Sequence, residues 1–221
     1  CNASYGGNTM NYYAAGGNCR NTAFKTVIYH EWGHGLDDRY GGISQTDGLS
    51  EGWGDILGMY RSGSPIVGLG FSTTGNIRDG RNTRTYPVNS TSVHTQGQTW
   101  RGFAWDLREN LRASLGATAG ATVAEQIVIG SVVADATSQP AAVREVFILD
   151  DDDAILNNGV AHYAELSAAA LGRTLPFPEL QFGTVTHNPL ASTTDQLRSR
   201  LVRVRAVPSF GTYSGATLVF D

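Results

Sequence analysis

Residues 1–19 alternate loosely between apolar and polar positions. Met10, Tyr12 and Tyr13 keep strand-like company, and Gly6-Gly7 and Gly16-Gly17 mark turns, so a short β-hairpin is expected there. The spacing then becomes helical. Asn21 or Thr22 can cap a helix through Ala23, Val27 and Ile28 that ends near Gly35, and Asp47 or Ser50 can start a second through Trp53, Ile56, Leu57 and Met59. Residues 62–92 keep neither period, are rich in Gly, Arg, Asn and Thr, and read as a long surface loop, longer than idle connections usually run. Helical spacing returns at Gln96 and holds through Trp100, Phe103, Ala104, Leu107 and Leu111. An apolar helix is expected over about 120–137, a shorter one after Pro140, and another over about 160–171, beyond the acidic run Asp150–Asp153. Past Leu175-Pro176-Phe177-Pro178 the texture changes, and alternation in Leu201–Ala206 and again near Leu218 predicts β-strands.

These elements add up to an α+β chain, mainly helical, with a short N-terminal hairpin whose first strand is an edge. A boundary falls near 174–178, dividing residues 1–174 from a β-strand module at 175–221. Forty-odd residues are short for an independent sandwich, so that module is expected to be small, incomplete, or the start of a β-sandwich.

Composition narrows the function classes. The chain has 221 residues, 41% hydrophobic and 16% charged, with a formal net charge of -4. A mildly acidic chain with scattered arginines lacks the concentrated basic face that nucleic acid requires. No apolar run is judged to approach the eighteen or so residues of a membrane span, and no charged-then-apolar leader opens the sequence. It begins with Cys1, so a processed product or a fragment is expected. Cys1 and Cys19 flank the hairpin. A disulfide between them would contribute about 3 kcal/mol in the chain-entropy model; two free thiols in a reducing compartment is the other reading. Abundant Gly, Ser, Thr and Asn with almost no Lys suits a secreted protein. Asn2 and Asn89 open N-x-S/T triplets, which matter only in a host that glycosylates.

The chemistry concentrates in His30-Glu31-Trp32-Gly33-His34. The i, i+4 spacing puts both imidazoles on one helix face, able to share one metal ion. Glu31 lies about 100° further round, poorly placed as a third ligand and better suited to a general base. Seventeen positions beyond His34, Ser50-Glu51-Gly52-Trp53-Gly54-Asp55 supplies a carboxylate and then another four residues on. Two His and one Glu leave an open fourth position on tetrahedral zinc, the arrangement catalysis needs. Asp55 can accept the spare ring N–H of His30 or His34 and fix its tautomer. Gly52 and Gly54 weaken a helix, which close packing against the first helix or the metal would explain.

H-E-W-G-H-G followed by G-L-S-E-G-W-G-D resembles the Glu-liganded zinc metallopeptidases, closer to the fungalysin-like branch than to thermolysin. The resemblance implies a zincin-type catalytic lobe in which His30, His34 and Glu51 hold zinc, Glu31 is the general base, and Asp55 bonds His30. The metzincin pattern is absent, since Asp37 and Tyr40 stand where its Gly and third His would be. Val93-His94-Thr95-Gln96-Gly97 is similar to the family's V-H-x-x-G segment, implying that His94 donates a hydrogen bond to the oxyanion. Thermolysin-like chains carry an aspartate five residues before this histidine, where this chain has Asn89. Asn2-Ala3-Ser4-Tyr5 resembles the family's Asn-Ala-aromatic edge strand along which substrate lies. Tyr40 is a candidate second oxyanion donor, and Arg78, Arg81 and Arg84 are candidate partners for a substrate carbonyl.

The expected activity is therefore endopeptidase hydrolysis of a peptide or protein substrate, by zinc-activated water with a glutamate base. A zinc aminopeptidase and a non-catalytic peptidase-like binding module are the alternatives. Related enzymes place a β-rich lobe upstream, so association with a separate N-terminal segment or pro-segment is expected. Asp150–Asp153 with Asn157 and Asn158 invites a calcium reading, solvated carboxylates being the plainer one. His162 and His187 have no partner pattern and read as structural.

Overall fold

The computed structural model describes residues 1–71, 75–181, 183–187, 191–192, 194 and 200–208. Strands β1 (Ala3–Gly6) and β2 (Thr9–Tyr12) form the expected hairpin, with Ala3 opposite Tyr12 and Gly6 opposite Thr9. Its two-residue turn, Gly7-Asn8, has positive φ at both positions, the backbone that matches the twist of paired strands. Cys1 and Cys19 form a disulfide. Thr22, fully buried, closes the hairpin further along: its Oγ1 accepts from the Tyr13 N–H at 2.8 Å and its own N–H donates to Tyr13 O.

That role takes Thr22 away from capping. Helix α1 (Lys25–Arg39) starts after Phe24 without a side-chain cap and runs past Gly35 to Arg39. Asn21 bonds the Ala23 N–H in a local turn instead. Gly35 does not end the helix; it admits the Tyr5 ring, which would lie 2.9 Å from a Cβ there. Helix α2 (Leu49–Ser62) is capped by neither Asp47 nor Ser50: the preceding Gly48 is left-handed, Asp47 sits in the 3-10 turn Thr46–Gly48, and Ser50 turns to a histidine. Gly63, also left-handed, closes its end by donating to the Met59 and Tyr60 carbonyls.

Helices α1 and α2 meet backbone to backbone. A Cβ on Gly33 would stand 2.6 Å from Gly54 Cα, and one on Gly54 would stand 2.6 Å from His30 Nδ1. Gly52 admits the Trp100 ring from the other side. The core lies beyond α2, where Trp53, Trp100, Phe103, Leu107, Leu111, Val143, Phe147 and Leu166 are buried. It is built from α2, α4 (Gln98–Leu115), α6 (Gln139–Leu149) and α7 (Tyr163–Gly172), with α3 (Val93–Gln96) a single turn leading into α4. Among the described residues of 62–92 the chain is largely irregular, apart from the two-residue ladder of β3 (Ile66–Val67) with β4 (Arg78–Asp79).

The apolar helix expected over 120–137 is a continuous helical run. It comprises α5 (Ala117–Ala124), a π turn (Glu125–Ile129) and a 3-10 turn (Ser131–Ala134). The 18 residues Ala117–Ala134 are long and apolar enough by length and composition to cross a membrane, which corrects the expectation that no run comes near that size. Here Ala124, Ile127, Val128 and Val132 enter the core, and Glu125 pairs with Arg61 at 2.8 Å.

At the expected boundary the chain still covers the core. Leu175 is buried, and the Phe177 ring stacks on Phe147 at 5.9 Å. Beyond it β5 (Gly183–His187) pairs antiparallel with β6 (Val204–Pro208), and Val185, Val204 and Val207 are exposed. The strand expected at 201–206 is thus shifted to 204–208, while the one near Leu218 lies outside the described residues. The architecture is a mainly helical α+β fold with short antiparallel strand pairs.

Candidate metal centre

One turn apart on α1, His30 and His34 turn their imidazoles together, Nε2 to Nε2 at 3.2 Å. Glu51 comes from the first turn of α2, with Oε2 3.6 Å from His30 Nε2 and Oε1 3.8 Å from His34 Nε2. All three are buried. Ligand atoms about 2.0–2.1 Å from a tetrahedral zinc lie about 3.3 Å from one another, close to these spacings. Glu51 Oε2 is buried without a hydrogen-bond donor, with the Arg78 guanidinium 3.8 Å away as its cationic neighbour, and a buried acceptor without a hydrogen bond is costly. The donor set, two imidazoles and a carboxylate, is the one zinc takes.

Burial lowers the pKa of both imidazoles. His34 falls to about 4, with His30 adding to the effect, and for His30 the Arg78 charge acts in the same direction. Both rings are therefore neutral at pH 7, the form that binds metal. Asp55 Oδ1 lies 2.9 Å from His30 Nδ1, a close contact with a neutral ring that is bent away from good hydrogen-bond geometry. Asp55 also pairs with Arg78 Nε at 2.9 Å and with Arg101 NH1 at 2.6 Å. Burial alone would raise its carboxyl, but the two guanidinium groups outweigh that and hold it well below the usual carboxylate range. His34 Nδ1 meets Ser50 Oγ at 3.0 Å. Arg101 beside Asp55 was not foreseen from the sequence, and Ser50, expected to start α2, meets His34 instead. An arginine one turn into α4 has no linear signal tying it to residue 55.

Glu31 is buried beside the donors, facing the same space but outside the triad. Burial, reinforced by Glu51, pushes its carboxyl up to about 7, against the opposing pull of Arg78 and of the Tyr5 backbone N–H from β1. His94, on α3, reaches in from the opposite rim, its Nε2 3.3 Å from Glu51 Oε2, with most of its side chain exposed. These groups open onto a cleft of about 520 Å³ whose other walls include Cys1–Tyr5, the chain leading into and along β1, and the apolar side chains of Val27, Val67, Phe71 and Ile77.

The cleft thus gathers Asn2, Ala3, His30, Glu31, His34, Glu51, Arg78 and His94. Arg78 sits nearer the donors than a substrate-binding role requires, its NH2 3.3 Å from His30 Nε2. Tyr40 is not in the cleft: it lines a separate groove with Leu36, Gln126 and Val132, because α1 runs a turn longer than expected and carries it away. Arg81 is paired with Asp79, and Arg84 bonds Gln98, both on the surface. Asn89 makes no hydrogen bond to His94 among the described residues.

In the acidic run, Asp150 is engaged by His162, ring and backbone, each at 2.6 Å. That gives His162 the structural role expected of it. His187 lies in β5. Carboxylates of Asp151, Asp152 and Asp153 come within 4.8 Å of one another, but Asp153 already accepts from Ile155 N and Asn158 Nδ2. No family model matches this chain, and no curated protein matches it either.

Proposed function

We propose that this chain is a zinc-dependent endopeptidase, with His30, His34 and Glu51 holding the ion. The observation that carries this reading is Glu31: a buried carboxylate beside three candidate metal donors, lining the same cleft yet outside the donor set. Zinc bound there would supply a Lewis acid, polarising a carbonyl and making water more acidic. Glu31 takes the proton from the attacking water and returns it to the leaving amine. His94, across the cleft, donates to the oxygen that gains charge as the peptide carbon becomes tetrahedral. Asp55, held ionised by Arg78 and Arg101, fixes the His30 ring. Substrate lies extended along β1, and the disulfide-bonded hairpin suits action outside the cell.

An aminopeptidase needs further carboxylates to hold a free amine. Among the described residues the only carboxylates lining the cleft are Glu31 and Glu51, which favours cleavage within a chain. The test is Glu31→Gln in zinc-loaded protein. Zinc content and fold should stay unchanged, while casein cleavage drops at least a hundredfold. Near wild-type cleavage by this variant would sink the mechanism, and failure of the native protein to cut N-acetylated peptides would sink the endopeptidase assignment.

A further inference from the structure

Gln139, the first residue of α6, is 1% exposed and far from the cleft in sequence. Its amide makes three hydrogen bonds. Nε2 donates to Asp47 O at 2.7 Å and to Gln96 O at 2.9 Å, and Oε1 accepts from the buried Thr99 hydroxyl. Two carbonyls on one side and a hydroxyl on the other leave only one orientation in which every atom is satisfied. The carbonyls belong to the two segments that carry the centre: Asp47 stands just ahead of α2, which presents Glu51, and Gln96 ends α3, which presents His94. Those segments already touch, since a Cβ on Gly48 would fall 2.0 Å from Val93 O and one on Gly97 2.5 Å from Gly48 O.

We propose that Gln139 is a positioning residue for His94: its amide brackets α3 to the start of α2 and so sets the 3.3 Å approach of His94 to Glu51. The four-residue helix α3 is too short to hold its own register, and His94, being exposed, has little packing to fix it. A buried amide bonded to both backbones supplies that constraint. What the spacing does in turnover rests on the peptidase reading; the spacing itself does not.

The experiment uses the full chain, zinc-loaded, with Gln139→Ala alone and together with His94→Ala. If Gln139 acts through His94, Gln139→Ala lowers kcat at least tenfold with KM and zinc stoichiometry held within about twofold. In the His94→Ala background it then lowers the residual kcat by less than twofold. Equal losses in both backgrounds, or a loss carried by KM or zinc content, would overturn the proposal. Thr99→Val, which removes the hydroxyl that meets both Oε1 and the Gln96 carbonyl, is the milder variant should Gln139→Ala fail to fold; it should give a smaller kcat loss with the same dependence on His94. A readout without turnover separates this from the peptidase reading. In the ring NMR spectrum, Gln139→Ala should shift or broaden the His94 signals and leave those of His162 in place. If native protein cuts no peptide, the peptidase reading fails while these signals still decide the bracket; unmoved His94 signals would refute it.

Discussion

Asp37 extends the polar side of α1 one turn beyond the ligands. It is buried, and burial pushes its carboxyl above its ordinary value; hydrogen bonds from Ser50 and the Ser44 N–H pull it back, while Asp135 and Asp38 push it up again. A carboxyl with a folded pKa above its unfolded one costs stability when it ionises. The penalty is absent at acid pH and grows as pH rises from about 4 through the folded value. In chelator-treated protein the melting temperature of Asp37→Asn should therefore fall less between pH 4 and 7 than that of the native chain. Parallel curves in thermal melts would refute the assignment. At this scale the clustering of the three candidate donors was legible, because i, i+4 histidines and a carboxylate on the next helix make a linear pattern. Arg101 and Gln139 were not, because each acts on a residue more than forty positions away. Tyr40 was misplaced by the same limit: its position depends on where α1 stops.

Helices were easier to locate than their starts. Thr22 and Ser50 have the chemistry of caps, but Thr22 holds the hairpin and Ser50 holds His34. A residue with one hydroxyl satisfies the most demanding neighbour, and sequence cannot rank neighbours not yet in contact. Of the α2 glycines, Gly54 meets α1 as expected, whereas Gly52 makes room for Trp100 of α4 and not for the first helix; the energetics at Gly54 can be tested. Gly54→Ala would gain about 1 kcal/mol of helix propensity. Against that, the new methyl meets His30 Nδ1 at 2.6 Å and the His30 carbonyl at 2.9 Å. The carbonyl cannot swing aside without moving α1, and overpacking of that kind costs about 1–3 kcal/mol. Packing wins. Urea unfolding should show a net loss of stability, and zinc titration a weaker site; a more stable variant with native zinc affinity would contradict this.

The molecule as a whole divides into a core of helices and a polar seam where α1 lies on α2. The α+β class and the helical core were legible from spacing, since Trp100, Phe103, Leu107 and Leu111 repeat at helical intervals and are all buried. The long apolar run was underestimated because Glu125 and Gln126 interrupt it, and because its backbone passes through a π turn that shifts the helical period. The N-terminal hairpin is joined to the seam by the Tyr5 hydroxyl donating to Asp38 at 2.9 Å, and its base is closed by the disulfide. Cys1→Ser with Cys19→Ser should lower the free energy of unfolding by about 3 kcal/mol, from the eighteen-residue separation that the bond spans. No ligand lies inside that loop, so zinc stoichiometry should remain at one per chain while KM for peptides rises. Loss of zinc would show that the hairpin shapes the ligand set as well as the cleft wall.

The bonds made by Gln139 also define the shortest length of chain that can be a working unit. All three donors of the proposed zinc site, His30, His34 and Glu51, are present by residue 51. The frame that spaces α3 against α2 is reached only at residue 139, across sequence separations of 43 and 92. The proposed donors belong to the first quarter of this chain, whereas the frame that would fix His94 against them draws on nearly two thirds of it.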